Sequence, residues 1–255
     1  MTLLHRHDQD AIATLTMDAP ARLNALSDAM IAELDSAFDD IATSTEVRVV
    51  ILKGTGKAFC AGHDLKEMQG KDAAALKDLF DRCTALMSRI QSLPQPVIAQ
   101  VHGLATAAGC QLVATCDLAV ADDACKFGVN GVNIGLFCST PMVAMTRNIG
   151  RKAAFKMLTT GDFISAETAI DLGLINEACP ADQLDATTGA IAAKIASKLG
   201  KAVRIGKKAF YAQAQMTTAD AYALTGDVMV ANMAEPDTVE GIAAFLEKRA
   251  PDWDQ

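Results

Sequence analysis

Gly54-Thr55-Gly56-Lys57-Ala58-Phe59-Cys60-Ala61-Gly62-His63-Asp64-Leu65-Lys66-Glu67-Met68 is the stretch on which the reading of this chain turns. It follows residues 47–52, a β-branched apolar run short enough for a strand buried on both faces. A second stretch repeats the design: Val101-His102-Gly103-Leu104-Ala105-Thr106-Ala107-Ala108-Gly109-Cys110-Gln111-Leu112 follows the apolar run 97–101. Both use Gly or Ala where a backbone must approach something closely, and both run into a helix start. The free N–H groups of a helix start suit a developing negative charge. One such N–H from each loop makes an oxyanion hole, in which a single donor is worth about 2.7–4 kcal/mol of barrier. Neither loop is a phosphate-binding P-loop or a clean dinucleotide G-x-G-x-x-G fingerprint.

Working outward, residues 11–17 read as a strand ended by Asp18-Ala19-Pro20, and Ser27 reads as the N-cap of a helix over 28–41. Asp64 and Glu67 have the spacing of a capping box. A longer helix is expected over 72–90, stopped by Pro94 and Pro96, and then a strand over 97–101. Residues 105–115 read as a helix of small side chains, and 118–121 as a further strand. From Ser165 onward the pattern is helical: 166–172, 181–199, 201–213, 218–231 and 236–248. The expected fold class is α/β, helices packed on sheets, followed by helices. We divide it into a core over 1–200 and a C-terminal helical oligomerisation region over 201–255.

The bulk numbers exclude some functions. With 31 acidic and 23 basic residues the net charge is -8, which argues against nucleic acid or a membrane surface as partner. One local basic pocket stays compatible with that balance. No apolar stretch reaches the roughly 18 residues of a membrane span, and the start lacks a secretory apolar core. The 7 cysteines are odd in number, scattered and without a C-x-x-C pair. They read as reduced thiols, which predicts a cytoplasmic protein with neither a disulfide framework nor a metal site.

The two loops, Asn24-Ala25-Leu26-Ser27 ahead of them, and the ending Glu240-Gly241-Ile242-Ala243-Ala244-Phe245-Leu246-Glu247-Lys248-Arg249 resemble the enoyl-CoA hydratase/isomerase (crotonase) family over nearly the whole chain. The resemblance implies a crotonase-like spiral of ββα units with a C-terminal helical trimerisation region, as a homotrimer or a dimer of trimers. It implies an acyl-CoA thioester as substrate and no permanently bound cofactor, coenzyme A being part of that substrate. It further implies an oxyanion hole from the N–H groups of His63 and Ala108, with Ala61, Asp64, Leu65 and Lys66 alongside the CoA. By the same matching, Phe245 and Lys248 reach the CoA nucleotide of a neighbouring subunit, and Lys248 suits a 3′-phosphate.

The sequence departs from the family where hydration is done. Hydratases of this kind use two glutamates, and the matching positions here are Gln111 and, 20 residues on, Gly131. Phe127-Gly128 and Gly135 set that register. A glutamine amide orients a water or thioester but exchanges no proton near neutral pH, and glycine has no side chain. General acid–base help is worth about 10²–10⁴ in rate, so hydration by two carboxylates is severely weakened. Asn130, Asn133, Cys138, Ser139 and Thr140 follow closely and are expected around the acyl group. An isolated cysteine such as Cys138 is more often a small hydrophobe than a nucleophile. The His63 side chain can meet the acyl end, Asp117 suits a capping role, and His5 with His7 lacks a third metal ligand. Three readings remain open: a nominal enoyl-CoA hydratase, a decarboxylase of malonyl-type thioesters, and a non-catalytic acyl-CoA binder.

Overall fold

A computed structural model describes residues 2–253. The chain starts with a hairpin, β1 (Leu4–Gln9) and β2 (Ile12–Met17), and continues through α1 (Asp28–Ala42), β3 (Val49–Gly54), the single turn α2 (Leu65–Met68) and α3 (Ala73–Ser92). Next come β4 (Val97–Val101), β5 (Leu104–Thr106), α4 (Ala108–Thr115), β6 (Leu118–Asp122) and β7 (Lys126–Gly128). Then follow α5 (Ser139–Asn148), α6 (Arg151–Thr160), β8 (Ile164–Ser165), α7 (Ala166–Asp171), β9 (Glu177–Cys179) and α8 (Leu184–Ala196). The last elements are α9 (Gly200–Gln213), α10 (Thr218–Met233) and α11 (Pro236–Glu247).

One sheet has six strands in the order β1-β2-β3-β4-β6-β9, and a smaller sheet has three in the order β5-β7-β8. Apart from the hairpin, every pairing in the large sheet is parallel. Its central strands are therefore apolar on both faces. Val50 and Leu52 of β3 point into the main core with Met30, Leu34 and Phe38 of α1. Val49 and Ile51 point the other way, onto Leu184, Ala192 and Ala196 of α8. Helix α1 starts where expected, because Ser27 Oγ accepts the Met30 N–H at 3.1 Å.

Several expectations change. The expected helix over 105–115 is a short strand followed by a helix. Ala107, at φ 51°, breaks the run, and Leu104–Thr106 pairs with Lys126–Gly128. Helices α5 and α6 and strands β7 to β9 have no counterpart in the sequence reading. The strands are only two or three residues long, too short for a periodic signal. The capping box is half formed: Asp64 accepts the Lys66 and Glu67 N–H groups, while Glu67 Oε2 accepts the Asp28 N–H instead. Asp117 receives the Val97 N–H at 2.6 Å, at the start of a strand and not of a helix.

Helix α9 is fastened to the core from below. Lys207 is buried, and its Nζ donates to the Ile90 and Gln95 carbonyls and to Asp117 Oδ2. Tyr211 Oη donates to Asp117 Oδ1 at 2.8 Å. Burial pushes the Lys207 amine down and the Tyr211 phenol up, with Asp117 opposing the first and adding to the second. Among the described residues no helix is long and apolar enough to cross a membrane, and the seven cysteines are free and buried.

Candidate functional site

The first loop is held from within by Asn24, which is fully buried. Its Oδ1 accepts the Ala19 N–H, and its Nδ2 donates to the Thr55 and Ala58 carbonyls, each at 2.8 Å. Beyond it, Leu26 donates to the Gly62 carbonyl at 2.7 Å and accepts the Asp64 N–H. In extended backbone successive N–H groups point to opposite sides. With Asp64 turned toward Leu26, the His63 N–H faces away from it.

Cys60 donates to the Leu104 carbonyl and accepts the Thr106 N–H, which joins the two loops edge to edge. The approach is so close that side chains are excluded. A β-carbon on Gly62 would meet Ala107 Cβ at 2.9 Å and Ala108 N at 3.1 Å. Helix α4 has no side-chain cap, so its first N–H groups point outward unused. Among the described residues neither the His63 N–H nor the Ala108 N–H has a hydrogen-bond partner. His63 and Ala108, one from each loop, both line one space.

That space is a cavity of about 910 Å³. Of the residues singled out from sequence, Ala61, His63, Asp64, Leu65, Lys66, Ala108 and Gly131 line it. So do Asn130, Cys138, Ser139 and Thr140, whereas Asn133 instead packs against Gly161. Gln111 is buried one turn behind Ala108, with an Oε1 that has no partner among the described residues. Phe245 and Lys248 are on the far end of α11, away from the cavity of this single chain, with Phe245 81% exposed.

Three walls differ in chemistry. The mouth is polar: Arg22 donates to Asp64 at 2.9 Å and to Glu67 at 3.2 Å, and Lys66 is exposed beside them. Opposite, Thr106 Oγ1 donates to Asn130 Oδ1, next to the Cys138 thiol, which burial pushes up. The third wall is His63 against Phe80, ring centroids 5.4 Å apart and edge to face. Arg22, Thr106 and Phe80 escaped the sequence reading. Thr106 lies two residues before Ala108 in a loop already singled out, but nothing local marks a helical Phe80 as a wall.

Gly131 is closed to any side chain. A β-carbon there would lie 2.6 Å from the Leu136 carbonyl oxygen and 2.8 Å from Cys138 Sγ. Apart from Asp64, already committed to Arg22 and the α2 amides, no carboxylate among the described residues lines the cavity.

The model of the family described as enoyl-CoA hydratase/isomerase matches residues 7–255. The chain belongs to the enoyl-CoA hydratase/isomerase family. It is 46% identical over 254 residues to the mitochondrial enoyl-CoA hydratase domain-containing protein 3 of Mus musculus, covering 98% of this chain and 84% of that one. It is 32% identical to the 2,3-dehydroadipyl-CoA hydratase of Escherichia coli K12, covering 96% of each. A crystal structure of an enoyl-CoA hydratase from Mycobacterium smegmatis superposes with a TM-score of 0.97 at 52% identity, covering 99% of both chains. The crotonase fold is therefore the fold of this protein, and the family needs no permanent cofactor, coenzyme A being carried by the substrate. The cytoplasmic expectation is overturned: relatives 45–47% identical over nearly the whole chain are named mitochondrial. Reduced, buried thiols look the same in either compartment, which is why composition misled.

Proposed function

We propose that this family member is an enzyme that binds an acyl-CoA thioester with its carbonyl oxygen on the His63 and Ala108 N–H groups. The observation that carries this reading is that His63 and Ala108, whose N–H groups have no partner among the described residues, line one cavity. Hydrogen bonds aimed at a carbonyl oxygen strengthen as it becomes an enolate, so they lower the barrier more than they tighten binding. Ala61, Asp64, Leu65 and Lys66 run beside the CoA arm, and Arg22 holds Asp64 in place. Hydration through two carboxylates is disfavoured, since Gln111 and the crowded Gly131 occupy both positions. The second reading, decarboxylation of a malonyl-type thioester, is favoured by the lack of an uncommitted carboxylate among the described residues that line the cavity. Loss of CO₂ leaves an enolate that the same two amides stabilise.

The assembly belongs to the same proposal. Residues 201–255 form the oligomerisation region of a trimer, or of a dimer of trimers, and Phe245 and Lys248 reach the CoA nucleotide of a neighbouring subunit. In support, α10 and α11 expose Tyr222, Met229, Val230, Phe245 and Leu246 together.

Calorimetric titration with butyryl-CoA and with S-butyl-CoA, a thioether without the carbonyl, tests the reading. The thioester is expected to bind about 10-fold more tightly, the worth of two modest hydrogen bonds. Equal affinities would overturn the oxyanion hole. Crotonyl-CoA incubated with the protein is expected to keep its enoyl-thioester absorbance, and turnover at a normal hydratase rate would overturn the disfavouring of hydration.

A further inference from the structure

Away from the mouth, the cavity has a polar corner of its own. Thr106 and Asn130 both line it, and the Thr106 hydroxyl donates to Asn130 Oδ1. That bond fixes which way the amide is turned, since a carboxamide has one acceptor oxygen and one NH₂ that only donates. With Oδ1 held by Thr106, Nδ2 is the free end. It has no hydrogen-bond partner among the described residues, and, on a half-buried residue, it is not closed off from solvent. The ring nitrogens of His63 are closed off, so they receive nothing from the cavity. Thr140, two residues beyond Cys138, lines the same cavity with a hydroxyl that is likewise unpartnered and open. The Ser139 hydroxyl already donates to the Phe137 carbonyl at 3.3 Å.

We propose that Asn130 is a specificity-determining residue of this site, its Nδ2 donating to a neutral oxygen on the β-carbon of the acyl chain. The proposal rests on the thioester reading above. Thr106 is a positioning residue, acting only through the bond that turns the amide. Thr106 and Ala108 are two residues apart, which is at most about 7 Å of chain. The donor therefore stands near the thioester carbonyl and not at a remote chain end, which places the acceptor oxygen on one of the first acyl carbons. A plain hydrocarbon chain would strip water from Nδ2 and offer no acceptor in return, and a donor desolvated without a partner is penalised. A 3-oxoacyl group replaces that water with its own carbonyl oxygen.

The charges around the cavity favour a neutral oxygen over a carboxylate. Arg22 is bound to Asp64 and Glu67 at the mouth, and Lys66 is exposed beside them. No other lysine or arginine among the described residues lines the cavity. Burial keeps the His63 imidazole neutral by holding its pKa below the usual value, and it keeps the Cys138 thiol protonated. Asn130, Ser139 and Thr140 thus form an uncharged corner. An ionised carboxylate placed there would exchange water for neutral donors alone, a far larger desolvation cost than a ketone carbonyl meets.

The test is calorimetric titration of wild type, Asn130→Leu and Thr106→Val with butyryl-CoA, acetoacetyl-CoA and malonyl-CoA. Wild type is expected to bind acetoacetyl-CoA roughly 3–10-fold more tightly than butyryl-CoA, the worth of one hydrogen bond, and malonyl-CoA more weakly than acetoacetyl-CoA. Asn130→Leu has a side chain of similar shape and no donor, and is expected to bring the acetoacetyl-to-butyryl ratio to about 1. Thr106→Val keeps the donor but frees the amide to turn, and is expected to shrink the ratio without abolishing it. A merely structural role for either residue would weaken every ligand together and leave the ratio unchanged. An unchanged ratio in Asn130→Leu would overturn the proposal, and so would equal wild-type affinities for acetoacetyl-CoA and butyryl-CoA, a result that needs no variant to fold. Malonyl-CoA as the tightest ligand would overturn the neutral oxygen. If butyryl-CoA binds ahead of S-butyl-CoA while the wild-type ratio is 1, the proposal fails and the thioester reading survives. If no CoA thioester binds, the thioester reading fails, and this proposal with it.

Discussion

Gly109 lies directly beneath Cys60: a β-carbon on the glycine would come 2.0 Å from the Cys60 carbonyl oxygen. That approach brings the start of α4 against the first loop, and so brings Ala108 and His63 onto one cavity. Gly109→Ala must push the loops apart. It is expected to lose about 1–3 kcal/mol of stability and most acyl-CoA affinity, read by urea unfolding and titration. Gly189→Ala on α8, where a β-carbon meets nothing within 4 Å, is the control, and a gain of about 0.4–1 kcal/mol is expected.

Lys207 and Asp117 supply a prediction for the C-terminal helices. Lys207→Met leaves Asp117 buried with only Val97 and Tyr211 as donors. Removing one partner of a buried pair costs about 3–5 kcal/mol. Lys207→Met with Asp117→Asn is expected to cost less than Lys207→Met alone, since no unpaired charge remains. Chemical denaturation of the two variants makes the comparison, and equal losses would count against the pair as the fastening of α9.

The pH dependence of stability has a definite sign. The folded pKa of His63 is lowered from 6.5 by burial, so between that lowered value and 6.5 the unfolded chain binds more protons. Stability from this group is complete above pH 6.5 and is lost as pH falls toward and through the folded value. His102 is shifted the same way by burial. Urea midpoints from pH 7.5 down to about 5 are expected to fall less in His63→Phe than in wild type. Parallel curves would show that the imidazole is not held neutral.

Restoring a glutamate pair is expected to fail. Gln111→Glu with Gly131→Glu gives no hydratase on crotonyl-CoA, because the Leu136 carbonyl stands 2.6 Å from where the new β-carbon must go. The pair is expected to be destabilised by about 1–3 kcal/mol, the usual cost of overpacking. Normal hydration by this variant would show that the 130–138 loop opens readily.

Much of the site was legible because its makers are local. A glycine-rich turn after a buried strand and a helix start without a cap are written into consecutive residues, as in 54–68 and 101–112. The family ending at 240–249 was equally readable. Asn24 marked a motif, yet its work of tying Ala19, Thr55 and Ala58 together spans 31 and 34 residues for two of its bonds and had no local sign. The missed strands β5, β7 and β8 form the small sheet of their own, each too short to have a period.

The sequence by itself determined the longer strands of the large sheet, the two loops, the family and the absence of side-chain carboxyls at 111 and 131, since each is a matter of neighbouring residues and their order. Only the tertiary structure decided that Gly131 has no room for a side chain, that Asp117 is the anchor of α9, and that the His63 ring nitrogens are left without partners. Those three outcomes depend on residues brought together from distant segments, where packing and desolvation, not local preference, set the energy.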